Sequence, residues 1–354
     1  MSIWLAIFLF VSISIVVFIA ALKIFPHTVT LQEVGVGVLI QGLVIGLLYF
    51  GGMQMQGADV QIFNGAVLSK SREIVPCSHS YRCNCHTTCT GTGTNRSCSE
   101  SCSTCYEHTN DYDWDVQSSV GDITIDRVDR RGSDEPPRWT AVVVGEPFAK
   151  EDSYFNYIKA SPLSIFNKEL YNSTLAVPSY PLVYDYYRIN RVINHGSKYT
   201  TDLSLLNQLL NDSLKQLGPK KKANLVVIFH NQDTAFVETT KAKHLGGKIN
   251  DVYVMIKADE TGIIEKVDSF SWAAQDIINV QMRDAILDLK TVDIPALSAT
   301  IATVLDKHYV RRDIEDFAYL EDSIELPFWI VLCIGIFGFA FPIVWSYAAH
   351  KHIN

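Results

Sequence analysis

The stretch Ala223-Asn-Leu-Val-Val-Ile-Phe229 decides how the second half of this chain is read. Within it Leu225 to Phe229 is a continuous apolar run of strand length, as expected for a strand covered on both faces. Ahead of it, Leu203, Leu206, Leu210, Leu214 and Leu217 recur at helical spacing, between a start behind Thr201 or Asp202 and a stop at Gly218-Pro219. Beyond it the pattern predicts a short helix ending at Gly246-Gly247, a buried strand Val252–Ile256, the turn Asp259-Glu-Thr-Gly262 and a third strand Ile263–Val267. Long helices are expected from about Ser271 to Leu289 and from Pro295, a favoured first-turn residue, to Tyr319. Helix, strand, helix, strand, strand, helix, helix is the order of a small three-layer α/β sandwich over residues 195–322.

Upstream, residues 53–160 read as a β-rich module. Asp59-Val-Gln-Ile-Phe63, Ile123–Val128 and Trp139–Val144 are strand-like, punctuated by Gly132 and Pro136-Pro137. Residues 161–194 form a connector with Pro162, Pro178 and Pro181, followed by a tyrosine-rich strand over Leu182–Ile193.

Within the β-rich module, residues 77–108 hold Cys77, Cys83, Cys85, Cys89, Cys98, Cys102 and Cys105, interleaved with His79, His86 and His108. The filler is Ser, Thr, Gly and Asn, which cannot bury an apolar core, so cross-links must order the lobe. Two chemistries fit. Seven thiolates and one imidazole would fill two tetrahedral zinc sites, whereas three disulfides would leave one thiol over, with a connectivity that spacing does not reveal. An oxidising compartment selects disulfides and the cytoplasm selects zinc. Cys333 lies apart, in an apolar run.

Asp111-Tyr-Asp113-Trp-Asp115, with Asp122 following, has the acidic spacing of a calcium loop. Val116 stands where that loop needs glycine, so the segment reads better as a strand with Tyr112, Trp114 and Val116 facing inward and the carboxylates facing water.

The two ends of the 354-residue chain differ from its middle. Residues 1–52 carry only Lys23 and Glu33 as charged side chains, and 326–349 carry none. Ile3–Leu22, Val34–Gly52 and Leu326–Ala349 each have the length and apolarity of a membrane-crossing helix. Gly42 and Gly46 form a GxxxG step suited to helix–helix approach, including between copies, and Gln41 is the one polar side chain of the second span. Placing Lys23 and Lys351 in the cytoplasm puts the middle segment outside. That middle segment has 28 basic and 37 acidic side chains, a net of −9, which opposes nucleic-acid binding.

The leucine-faced helix 202–217, the 223–229 strand, and Gly246-Gly-Lys-Ile-Asn-Asp-Val-Tyr-Val-Met-Ile256 followed by Ile263-Ile-Glu-Lys-Val267 resemble the TPM domain over about residues 195–320. The whole layout resembles uncharacterised membrane proteins of tailed bacteriophages. The TPM resemblance implies a non-cytoplasmic domain tethered by membrane helices. It also implies two kinds of activity, an acid phosphatase or an assembly accessory.

For a phosphatase the candidate carboxylates are Asp233, Asp251 and Asp268, beside His230. Asp233 and Asp268 read better as helix caps and Asp251 as a turn residue, since no nucleophile with an adjacent base and no Walker, zincin or nucleophile-elbow motif is present. The fold class read from sequence is thus an α+β membrane protein with three transmembrane helices, a β-rich module with a Cys-rich lobe, and a TPM-like sandwich. The function expected is an interaction or assembly module working with lipid and other membrane or envelope proteins. An extracytoplasmic phosphatase and a cytoplasm-facing zinc protein are its alternatives. Asn95, Asn172 and Asn211 match glycosylation acceptors.

Overall fold

The computed structural model describes residues 3–25, 29–90, 97–166 and 175–352; Asn95 and Asn172 lie outside them. It is a mixed α and β structure. Helices α1 (Ile3–Ile24), α2 (Leu31–Gly57) and α9 (Phe328–His352) pack side by side at one end. α2 and α9 are long and apolar enough to cross a membrane. Their outward faces are apolar and bare: Leu39 is 74% exposed and Phe50 69%. A core helix of a soluble globule would cover such residues. Thr30 starts α2 through a capping box with Glu33.

Gln41 is a bundle contact. Its Nε2 donates to Ser14 Oγ (2.6 Å) and to the Gly338 carbonyl (3.0 Å), joining all three helices. Close approach uses Gly37, against Trp345 and Phe18, and Gly52, against Ile330 and Leu326. Gly42 and Gly46, the expected contact pair, have no neighbour where a Cβ would stand, so within the chain they face outward.

β1 (Ala58–Pro76) follows α2 with no intervening residue. Its first half pairs with β6 (Pro147–Phe155) and its second half with β4 (Asn110–Ser118), after a bulge at Val67/Ser69. β5 (Ile123–Ile125) completes the antiparallel order β5-β4-β1-β6. The hairpin β2 (Ser80–Thr90) and β3 (Ser97–Tyr106) is a separate two-stranded sheet between β1 and β4 in the chain. Trp139 belongs to a short helix, α3 (Pro137–Thr140), not to the expected strand. Pro136 and Pro137 lack the N–H groups a strand would need, and Pro137 suits a helical first turn. α4 (Tyr157–Ala160) follows β6, and the tyrosine-rich segment breaks into β7 (Val183–Tyr184), β8 (Arg188–Ile189) and β9 (Val192–His195). Asp185 and Tyr186, both at positive φ, form the turn between β7 and β8.

The remaining module is a four-stranded sheet of order β12-β11-β10-β9. Its strands β9, β10 (Asn224–His230) and β11 (Asp251–Ala258) run parallel, and β12 (Ile264–Ser271) is antiparallel. Alternation within β10 sorts its two buried faces. Leu225, Val227 and Phe229 meet α5 (Ser204–Lys221), α7 (Ile277–Leu287) and α8 (Ile294–His308), while Val226 and Ile228 meet α6 (Thr234–Lys243). Helices thus cover the sheet on both sides, in three layers.

Three predicted boundaries shift. α5 continues through Pro219 and is closed by left-handed Lys222. β12 runs on to Ser271, because Phe270 stacks on Tyr253 at 4.5 Å, and this delays α7. α8 stops at His308 because Tyr309 turns inward, and a 3-10 segment follows at Ile314–Ser323.

Candidate functional site

The carboxylates proposed for phosphatase chemistry do not converge. Asp233 caps α6 by accepting from the Ala235 amide (3.1 Å), beyond the carboxyl end of β10. Asp251 opens β11 opposite Asn224, at the other end of the same parallel strand pair. The seven residues of β10 separate the two by about 20 Å. Asp268 is no helix cap: it sits mid-strand in β12, paired with Met255, its carboxylate 3.0 Å from Lys266 Nζ. His230 is buried at the end of β10, where desolvation pulls its pKa down to about 4, and its Nδ1 accepts from the Gln232 amide.

Asp251 belongs instead to a polar seam between the two sheets. It is fully buried and accepts from Asn224 Nδ2 (2.8 Å), the Lys248 amide (2.8 Å) and Tyr180 Oη (3.1 Å). Desolvation raises its pKa against those donors. Arg191 is the centre of the seam. Its guanidinium donates to Asn211 Oδ1 (2.7 Å), Asn224 Oδ1 (2.9 Å), the Leu225 carbonyl (3.1 Å) and Asn64 Oδ1 of β1 (2.8 Å). Burial lowers its pKa to about 10. Asn250 Nδ2 donates to the Ile62 carbonyl (2.8 Å), Lys248 pairs with Asp59, and Gly218 lies where any Cβ would strike the Asn64 carbonyl. Apart from Asn250 Oδ1, which has no partner, these buried polar groups are hydrogen-bonded protein to protein, which is how a structural joint looks.

The cysteine lobe is a ladder of three disulfides across the β2–β3 hairpin: Cys83–Cys105, Cys85–Cys102 and Cys89–Cys98. Asn84, in left-handed conformation at a register shift, is a residue type that tolerates it. Six thiols are therefore taken up, and the two-zinc arrangement has no ligands left to build it. His86 is exposed on the hairpin opposite Ser101.

The seventh thiol, Cys77, is buried at the base of the hairpin. Around it stand His79, His108 and Asp111, whose ligand atoms with Cys77 Sγ all lie within 4.8 Å of one another. Cys77 and His79 come from the end of β1 and the approach to β2, His108 follows β3, and Asp111 is the second residue of β4. Asp111 departs from the expectation of a water-facing carboxylate: its side chain is fully buried. Burial opposes its charge, but the Ser78 amide (3.1 Å) and Arg127 (3.0 Å) outweigh that and hold the carboxyl well below its usual range. The segment is a strand, as its alternation suggested. Asp113 pairs with Arg127 (2.7 Å) and Asp115 accepts from Thr124 Oγ1 (2.6 Å).

No family model, curated protein or solved structure matches this chain. Site residues therefore rest on geometry alone. Sequence reading named Cys77, His79 and His108 among ten Cys and His candidates but did not join Asp111 to them. The available signal was positional. Cys-x-His and His-x-x-Asp flank the lobe at its two ends, outside the cysteines that can pair across a hairpin. Arg191 was missed altogether, since nothing local marks an arginine as buried.

Proposed function

We propose that this chain is a membrane-anchored interaction or assembly module whose large domain faces the non-cytoplasmic side. The observation that carries the proposal is the exposed disulfide ladder on the β2–β3 hairpin, because such bonds form and persist in oxidising compartments. The helical bundle agrees with it. The rings of Phe25 and His350 lie tilted against each other with centroids 4.4 Å apart, so the helix ends bearing Lys23 and Lys351 lie together, away from the sheets. Both lysines then face the cytoplasm, with α1, α2 and α9 as three spans.

The TPM-domain reading of residues 195–320 is part of this proposal, supported by a sheet with helices on both faces. Its accessory-protein branch is preferred, since Asp233 and Asp251 lie at opposite strand ends. A partner would be another membrane or envelope protein, and the uncovered Gly42/Gly46 face of α2 suits a second copy.

Labelling with a membrane-impermeant maleimide tests the topology. In intact cells the hairpin thiols should react only after a reductant is added. Thiols that need permeabilisation but no reductant would place the domain in the cytoplasm and sink the proposal.

A further inference from the structure

We infer that Cys77, His79, His108 and Asp111 form a mononuclear structural zinc site that coexists with the three disulfides. One thiolate, two imidazoles and one carboxylate are a donor set suited to zinc, and four protein ligands make a closed, structural centre. With neutral imidazoles, the thiolate and carboxylate balance the ion's charge.

The two imidazole–carboxylate spacings within the group fit a metal better than they fit hydrogen bonds, and the Cys77 thiol stands beside them. His108 Nδ1 lies 3.3 Å from Asp111 Oδ1, His79 Nδ1 lies 3.4 Å from Asp111 Oδ2, and Cys77 Sγ lies 3.8 Å from His108 Nδ1. Ligand atoms bound tetrahedrally at zinc distances stand about 3.3–3.7 Å from one another. Ordinary N–H···O bonds are shorter, about 2.7–3.2 Å. A second observation is independent of the spacing. Asp111 is 0% exposed, yet its Oδ1 has no hydrogen-bond partner, and neither does the buried Nδ1 of His79. Buried polar atoms seldom stay unpaired, and both of these face the group.

The surroundings hold the ligands in place. Asp111 Oδ2 is fixed by the Ser78 amide and by Arg127, whose charge is itself met by Asp113. The Glu107 amide donates to the His79 carbonyl (3.1 Å), closing the base of the hairpin. An ion here would clamp the hairpin to β1 and β4, from which it otherwise projects with little apolar support. Such a clamp also accounts for an unpaired thiol in a chain that oxidises six others.

The test uses the full-length chain, exported to an oxidising compartment with zinc in the medium and purified in detergent. Elemental analysis should find about one zinc per chain, as a single four-ligand site requires. Cys77→Ser and His108→Ala should lose it, while His86→Ala, outside the group, should keep it. Cobalt substitution should give a thiolate-to-metal absorption that disappears in Cys77→Ser. Should the variants misfold, the wild-type chain still decides: Cys77 should be alkylated only after chelation, with all three disulfides intact. Zinc-free protein, copper in place of zinc, equal zinc in Cys77→Ser, or Cys77 locked in an intermolecular disulfide would each overturn the inference.

Discussion

Replacing Arg191 with Met keeps much of the side-chain length and removes four hydrogen bonds, to Asn211, Asn224, the Leu225 carbonyl and Asn64. Asn224 Oδ1 retains a second donor in Asn64 Nδ2 at 3.1 Å. Asn64 Oδ1 and Asn211 Oδ1 lose their guanidinium donor. A buried acceptor left unpaired costs about 1–3 kcal/mol; Asn64 is buried but Asn211 is half-buried, so the two give roughly 2–4 kcal/mol before any relief. Relief comes from no longer burying the guanidinium, which leaves an expected loss of about 2 kcal/mol. Arg191→Lys should also destabilise, since an ammonium cannot reproduce the planar fork. Urea titration of the detergent-solubilised chain, followed by tryptophan fluorescence, measures the loss. A double-mutant cycle with Asn64→Ala then assigns it to the seam. Coupling between the two should exceed 1 kcal/mol, and losses that add within about 0.5 kcal/mol would refute the claim that Arg191 joins the two sheets.

Gly218→Ala should be as damaging as Arg191→Met, because the new Cβ would collide with the Asn64 carbonyl oxygen, and limited proteolysis should then cut between the modules. Cys85→Ser with Cys102→Ser opens a link of sequence separation 17, and hydrogen exchange should rise within residues 80–106 while the β9–β12 core is unmoved. Gln41→Leu should weaken the helical bundle by on the order of 1 kcal/mol, read by steric trapping in a bilayer mimic. Acid stability offers a fourth check. His230, near Asp268, Lys266, Lys257 and His195, has a folded pKa of about 4, below its ordinary 6.5. The folded state therefore binds fewer protons, and the stability His230 contributes is lost as pH falls from 6.5 towards 4. His230→Gln should shift the acid midpoint downward; an unchanged or higher midpoint would contradict the assignment.

Where one local pattern determined the outcome, the sequence was sufficient. The leucines of α5, the apolar run of β10, the cap at Asp233 and the inward Trp114 and Val116 all follow from spacing and burial. Long-range partners were not legible. Nothing near Asp251 announces that Asn224, Tyr180 and Lys248 will surround it, so a turn residue and a buried seam carboxylate look alike. Val143 and Val144 gave a strand signal that the prolines before them overrode, and in the structure both are exposed. The cysteines were legible in number but not in pairing. Strand register sets Cys89 directly opposite Cys98, the hairpin brings the other two pairs together diagonally and at the register shift, and Cys77 is separated from the rest because that thiol falls before the hairpin begins.

The junction of α2 with β1 has a mechanical consequence. The helix ends at Gly57 and the strand starts at Ala58, so no flexible joint separates the bundle from the sheet. Nineteen residues of strand, bent at the Val67/Ser69 bulge, make an arm of at most about 60 Å. A tilt of α2 by about 5° would swing the far end of such an arm by roughly 5 Å. The disulfide-braced hairpin would then act as the stiff pointer of a lever whose fulcrum lies where the apolar helices meet the polar sheets. Small reorientations of the bundle would reach that tip as displacements the size of a side chain.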